Sequence, residues 1–198
     1  VDIVSYSNSL DAARVLSAYR SGCFPMGYPG RSLVTWHRPD PRAILPLDHL
    51  HVPRSLERRM RKPDFHVTFD TAFPDVMRGC AERESTWITA QFYRVYTQLF
   101  DMGRAHSVEV WVDNQLAAGL YGVHIGAAFF AESKFHRVTD MSKVALVSLA
   151  RHLKQQGFHL LEVQYKTEHL SRFGVIEIEA KQYRQLLAEA LATEAAFT

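Results

Sequence analysis

The chain has 198 residues, 47% of them hydrophobic and 22% charged, with a formal net charge of +2. That length buries one sizeable core plus a small appendage and excludes two or three full domains. The balance of residue types also excludes a disordered or collagen-like chain. Cys23 and Cys80 are the only cysteines, and neither lies in a short Cys/His spacing that holds zinc. No metal site and no disulfide framework are expected, and a reducing cytoplasm is the expected location. The first residues lack a basic stretch followed by an apolar run, and no segment reaches the roughly 20 apolar residues of a membrane span, so no membrane partner is expected.

Asp11 to Gly22 begins with a capping residue, carries apolar residues at helical spacing and stops at glycine, which predicts an amphipathic helix. The prolines and glycines of Cys23 to Gly30 predict an irregular loop. Trp36 to Arg42, with Pro39 and Pro41, predicts a stiff extended connector that ends a small N-terminal unit at residue 42. Residues 43–198 then read as one domain without low-complexity tracts or repeats. Helices are predicted over Pro53 to Arg61, Asp70 to Glu82 and Gln91 to Met102, with a strand at Phe65 to Phe69.

Ser107 to Val112 alternates polar and apolar residues, Asp113 and Asn114 supply a tight turn, and Gln115 to Val123 returns as the second arm of a hairpin. A strand at Ala127 to Ser133 is followed by a helix with Asp140 as its cap and Gly157 after its end. Phe158 to Gln164 reads as a strand. A short polar helix, a strand at Val175 to Ile178 and an amphipathic helix from Lys181 complete the chain. Antiparallel strands followed by helix, strand, helix and strand define an α+β fold of the acetyltransferase-like (GNAT-like) order, with a mixed, mainly antiparallel sheet. Acyl-CoA enzymes of that order cradle a pyrophosphate on a glycine-rich turn before the helix. Phe135 to Lys143 contains no glycine, which disfavours coenzyme A as donor.

Positive charge is clustered. Arg54, Arg58, Arg59, Arg61 and Lys62 fall in one short span, with Arg38 and Arg42 upstream, and such a span is either a solvated helix face or a phosphate-binding surface. His106, His124, His136 and His169 stand without a serine or carboxylate at telling spacing and read as structural or surface residues.

Several phrases occur in order: Ala18-Tyr-Arg-Ser-Gly-Cys-Phe-Pro25, Pro39-Asp-Pro-Arg42, Thr86-Trp-Ile-Thr89, Ala105-His-Ser-Val-Glu-Val-Trp111, Gly119-Leu-Tyr-Gly122, Glu132-Ser-Lys-Phe135, Ser142-Lys143 and Leu161-Glu-Val-Gln164. On this ordered set the chain resembles the leucyl/phenylalanyl-tRNA–protein transferases, from near its first residue to about Gly174. The resemblance implies an aminoacyl-tRNA donor, read through its 3′ end and acceptor stem, and an acceptor protein with an N-terminal Lys or Arg. The product that the resemblance implies is a protein tagged for degradation. It implies no cofactor, because the tRNA ester is already activated, and a monomer is expected.

The resemblance places the catalytic pair at Glu162 and Gln164, with Gln164 holding the reacting groups and Glu162 accepting or orienting the proton. Period-two geometry would put both on one strand face. The aminoacyl pocket maps onto Leu120, Lys134, Leu149 and Leu161 with Glu132 nearby, and Glu132 and Thr167 would meet the acceptor. Trp87 and Met26 correspond to positions that stack on the terminal adenosine. The basic span would hold acceptor-stem phosphates, extended by Arg42, Arg137 and Lys143.

Four of these positions depart from the family pattern. Glu162 is one methylene longer than the usual aspartate, Met26 replaces a tryptophan, Thr167 an asparagine and Lys134 a methionine. Either Glu132, two residues away on the same strand face, neutralises Lys134, or Lys134 turns its ammonium away from the pocket, or the donated residue is not leucine or phenylalanine. Two other readings share these residues: an aminoacyl-tRNA-dependent enzyme acting on a small-molecule amine, and a non-catalytic binder of tRNA or protein N-termini.

Overall fold

The computed structural model describes residues 2–83 and 85–198. The chain begins with β1 (Ile3–Ser7) and α1 (Ala12–Arg20). Asp11 caps α1 by accepting from the Arg14 backbone N–H at 2.8 Å, and Gly22 turns the chain out of the helix at φ +77°. The segment after Gly22, expected as an irregular loop, forms β2 (Phe24–Gly27), which pairs with β3 (Val34–His37). Pro25 is tolerated because the order β1-β3-β2 makes β2 an edge strand, which can spare one N–H. Trp36 and His37, expected in the connector, instead lie in the central strand of this antiparallel sheet. Only residues 38–41 link it to the larger sheet.

The rest of the chain builds that seven-stranded sheet from β4 (Arg42–Ile44), β5 (His66–Phe69), β6 (Ala105–Val112), β7 (Gln115–Ile125), β8 (Ala128–His136), β9 (Leu160–Glu162) and β10 (Ile176–Ile178). The order is β10-β4-β9-β8-β7-β6-β5. Every neighbouring pair is antiparallel except β8 and β9. The expected α+β class and mixed, mainly antiparallel sheet are what the structure shows. Asp113 and Asn114 turn β6 into β7 at φ +50° and +59°, the left-handed pair that a two-residue hairpin requires.

The helices are α2 (Arg54–Met60), α3 (Phe73–Ala81), α4 (Ala90–Asp101), α5 (Met141–Gln155), α6 (Glu168–Ser171) and α7 (Ala180–Leu191). Strand alternation divides the core in two. Phe130 and Leu160 face α1, α3, α4 and α7 with Val15, Phe73, Phe92 and Leu187. Phe129 and Leu161 face α5 with Leu146, Leu149 and Leu153. Each such buried side chain contributes on the order of 1.5–3 kcal/mol of transfer free energy, so both faces of the sheet are held firmly. Asp140 precedes α5 as expected, but at φ +69° and with no side-chain cap bond. Its carboxylate accepts from Lys143 Nζ at 2.6 Å instead. Among the described residues no helix is long and apolar enough to cross a membrane.

Candidate functional site

Two distortions open the sheet at one end. The parallel pairing of β8 with β9 stops at Phe130 and Glu162; β8 continues to His136, whereas the segment after β9 turns away at Gln164, which sits at φ +64°. The strands therefore splay, and the first turns of α5 lie beside the gap. A cavity of about 620 Å³ results, lined by Trp87, Leu120, Glu132, Lys134, Leu146 and Gln164, with Arg83, Lys143 and His169 also contributing.

The second distortion is a β-bulge. Tyr121 pairs with Ser133 but Gly122 pairs with Ala131, which leaves Glu132 as the extra residue. Gly122 is needed there, because a Cβ at that position would lie 2.3 Å from the Phe130 carbonyl oxygen. The bulge breaks the strict alternation expected of this strand. Glu132 turns toward Tyr19 and Tyr96 on the α1/α4 side, whereas Lys134 pairs in register with Leu120. Glu132 and Lys134 are thus not on one strand face. Among the described residues they form no ion pair, which corrects the expected shared face and removes mutual neutralisation from the three alternatives for Lys134. Burial, reinforced by the Arg83 guanidinium, pushes the Lys134 ammonium below the ordinary lysine range.

Glu162 and Gln164 are neighbours, but not as alternate residues of one strand, since β9 ends at Glu162. Glu162 is 0% exposed and does not line the cavity. Its Oε1 accepts from Arg42 Nε at 2.8 Å and from the Gln164 backbone N–H at 2.6 Å. Arg42, 1% exposed, also donates Nη1–H to the Gly22 carbonyl at 2.8 Å and lies between the rings of Phe24 and Tyr183. Arg42 is therefore excluded from a phosphate-binding surface, contrary to expectation, because its charge is spent in the interior. Gln164 lines the cavity and donates from Nε2 to Glu132 Oε1 at 3.4 Å.

Glu132 is the other acid of the site. Its Oε1 accepts from the Tyr19 hydroxyl, and Oε2 from Tyr96 at 3.4 Å. Burial pushes its carboxyl up to about 8, against the Tyr19 hydrogen bond, which favours the charged form. Burial also holds both phenols well above the usual tyrosine range, so they remain donors.

Leu120 lines the cavity, whereas Leu149 and Leu161 lie one layer back, fully buried in the α5 core. Trp87 lines the cavity and meets Phe92 edge-on at 5.3 Å between centroids. Met26 is half-buried on β2, packed against the core and outside the cavity lining. The next residue, Gly27, lets β2 close on Trp87, because a Cβ there would meet the Trp87 carbonyl oxygen at 2.6 Å. Thr167 caps α6, its hydroxyl accepting from the Leu170 N–H at 3.2 Å. Arg54, Arg58 and Arg61 line a shallow groove along α2 and its C-terminal end together with Glu57, while Arg59 pairs with Asp64 at 2.6 Å. Lys62 follows in the turn after α2. Arg137 pairs with Glu82 and Lys143 with Asp140. Tyr19, Tyr96, Arg83, Leu146 and His169 were not singled out from the sequence as site residues, since their partners are distant along the chain.

A concave site with one apolar wall, a few convergent polar groups and a carboxyl held near neutrality, set at the splayed end of parallel strands, defines an α+β protein of the enzyme class. Residues 44–188 match the family model of leucyl/phenylalanyl-tRNA protein transferase, and residues 8–40 match the model of its N-terminal domain. A leucyl/phenylalanyl-tRNA–protein transferase from Salinibacter ruber is 52% identical over 177 residues, covering 89% of this chain and 78% of that protein. One of the same name from Akkermansia muciniphila is 49% identical, covering 89% of this chain and 94% of that protein. Among solved structures, a conserved protein of unknown function from Bacteroides thetaiotaomicron shares the fold at a TM-score of 0.50 and 13% identity. That match covers 79% of this chain and spans 57% of the other. The chain belongs to the leucyl/phenylalanyl-tRNA–protein transferase family.

Proposed function

We propose that this protein moves an aminoacyl group from charged tRNA to the N-terminal amine of an acceptor protein. The observation that carries this reading is the cavity between β8 and the end of β9, where Gln164, Glu132 and Trp87 converge, in a chain about half identical to relatives bearing that name. The reaction is an aminolysis. A neutral amine attacks the carbonyl carbon of the ester, the C–N bond forms, and the C–O bond to the ribose breaks. Positioning the two reactants and handling one proton are the enzyme's main tasks.

Gln164 holds the reacting groups, and Glu162, clamped by Arg42, acts as a positioning residue through the Gln164 backbone. Trp87 stacks on the terminal adenosine, with Met26 behind it on β2 supporting that wall. Leu120 lines the aminoacyl pocket, with Leu149 and Leu161 supporting it from the core. Glu132 and Thr167 lie on the acceptor side. Arg54, Arg58 and Arg61, with Arg59 and Lys62 adjoining, face the acceptor-stem phosphates. The large sheet with its splayed strands supports an acetyltransferase-like domain over residues 43–198, preceded by a small unit over 1–42. A monomer acting in the cytoplasm on proteins with N-terminal Lys or Arg completes the reading.

Lys134 in the cavity lining favours a second reading of the donor, because an ammonium facing a leucine or phenylalanine side chain is costly. On that reading the donated residue carries a polar side chain, or the acceptor is a small amine. Both are tested by one experiment: a mixed pool of aminoacylated tRNAs is offered with a Lys- or Arg-initiated peptide and, separately, with small amines, and any added residue is identified by mass. Peptide extended by Leu or Phe is the expected outcome. Extension by a polar residue, or ester consumption with small amines alone, supports the second reading. Absence of product with every charged tRNA overturns both.

A further inference from the structure

We infer that Glu132, not Glu162, is the group that takes the proton from the attacking amine, so that Glu132 is a catalytic residue of the transfer. This rests on the function proposed above. Geometry separates the two acids. Glu162 is fully buried, clamped to Arg42, and has no face on the cavity. Glu132 lines the cavity through the β-bulge and touches the Gln164 side-chain amide. With its Nε2–H donated to Glu132, Gln164 keeps its amide oxygen as an acceptor for the incoming amine. The amine held on the Gln164 oxygen then lies beside the Glu132 carboxylate, which takes its proton directly while the amide stays unchanged.

The step balances. The amine lone pair forms the C–N bond while an N–H proton passes to the Glu132 carboxylate. The same proton returns to the ribose oxygen as the C–O bond breaks, leaving an amide, a free tRNA hydroxyl and an ionised Glu132. A carboxyl suits both halves when its affinity for the proton lies near the working pH. Glu132 faces the phenols of Tyr19 on α1, Tyr96 on α4 and Tyr121 on β7, and the Arg42–Glu162 pair on β4 and β9, with Lys134 on its own strand. Burial raises it to about 8, while the Tyr19 hydroxyl and Arg42 pull it down. The ionised form needed for attack therefore accumulates as pH rises toward that value.

The test measures kcat and KM for a Lys-initiated peptide at saturating charged tRNA, with wild type, Glu132→Gln and Tyr19→Phe. Wild-type turnover is the control: if wild type makes no extended peptide, the proposed function fails and the role of Glu132 falls with it. Given wild-type turnover, Glu132→Gln is expected to lower kcat by about a hundredfold or more, with tRNA binding changed less than threefold. The rising limb of kcat with pH should lie near 8 in wild type and move upward in Tyr19→Phe, because the lost hydrogen bond had favoured the carboxylate. The amine of the peptide is untouched by that change, so a moving limb belongs to Glu132. A Glu132→Gln enzyme that keeps kcat within threefold, or that loses only peptide affinity, overturns the inference. A limb left in place by Tyr19→Phe overturns it as well.

Discussion

At the scale of single residues, Arg42 and Glu162 are buried together at a cost. Arg42 Nη2 and Glu162 Oε2 are buried without a hydrogen-bond partner among the described residues, and unsatisfied charged groups are expensive to desolvate. Replacing a buried ion pair by apolar side chains is often neutral or stabilising, so this one is better explained by what it holds: the Gln164 backbone N–H, bound at 2.6 Å in a left-handed conformation. Arg42→Met leaves Glu162 without its counter-charge and should cost roughly 3–5 kcal/mol in urea denaturation at pH 7. Burial raises the Glu162 carboxyl and Arg42 lowers it, so the variant carries the carboxyl further above its unfolded value. The penalty grows as pH rises above the unfolded carboxylate range and shrinks below it. Arg42→Met with Glu162→Leu should recover most of the stability without recovering transfer, since the anchor on Gln164 is gone. Recovery of transfer as well would remove the positioning role.

At the scale of elements, α2 shows how a charge cluster divides once it is folded. Arg54, Arg58 and Arg61 follow helical spacing and share one groove, whereas Arg59 is turned to Asp64 and stacks over Phe65 at 5.2 Å. Arg54, Arg58 and Arg61 thus form a stripe along a groove they share with Glu57, and exposed Lys62 follows it. Replacing Arg54, Arg58 and Arg61 with Gln should weaken tRNA binding and make the plot of log affinity against log salt shallower by roughly 2–3. Binding measured between low and physiological salt checks this, and an unchanged slope would leave α2 as an ordinary solvated face.

Much of this level was readable in the sequence because periodicity and turn chemistry are local: α1, α4, the β6–β7 hairpin and α5 all fall within a few residues of their expected bounds. The small N-terminal sheet was not readable. Pro25 and Pro39 signalled a loop and a connector, and only the tertiary edge position of β2 makes Pro25 acceptable. The bulge at Glu132 was equally hidden, since strict alternation is the only register a sequence displays. The ordered phrases name Trp87, Leu120, Glu132, Lys134 and Gln164, which the fold brings to one cavity, but they do not give the directions of the side chains. Arg42 read as a surface cation and is interior, and Glu162 read as facing the substrate and faces Arg42.

At the scale of the whole molecule, distant segments are tied by a histidine chain at the β5–β7 side of the sheet. His106 Nδ1 lies 2.7 Å from Asp70 Oδ2, and His106 Nε2 lies 3.1 Å from His124 Nδ1. His124 Nε2–H donates to the Ala195 carbonyl at 3.1 Å. Phe197 follows, 2% exposed, stacked on His106 at 4.1 Å and against Phe129 at 5.6 Å. The segment after α7 is thereby fastened to β6 and β7 by both polar and apolar contacts. Burial, aided by the neighbouring His106, pushes His124 down to about 4, so the folded protein holds it neutral, with Nε2 as the donor. A histidine whose folded value lies below its unfolded value contributes stability above the unfolded value, near 6.5. That contribution drains away as pH falls from there toward 4. His124→Asn, compared with wild type by thermal unfolding, should show its largest Tm deficit above pH 7, narrowing steadily to little difference near pH 4. The comparison isolates this group from Glu132, whose raised carboxyl acts with the opposite sign, favouring the folded state at lower pH. A deficit that stays constant from pH 7 to 4 would mean that packing of Phe197 alone, and not the proton state of His124, fastens this end of the chain.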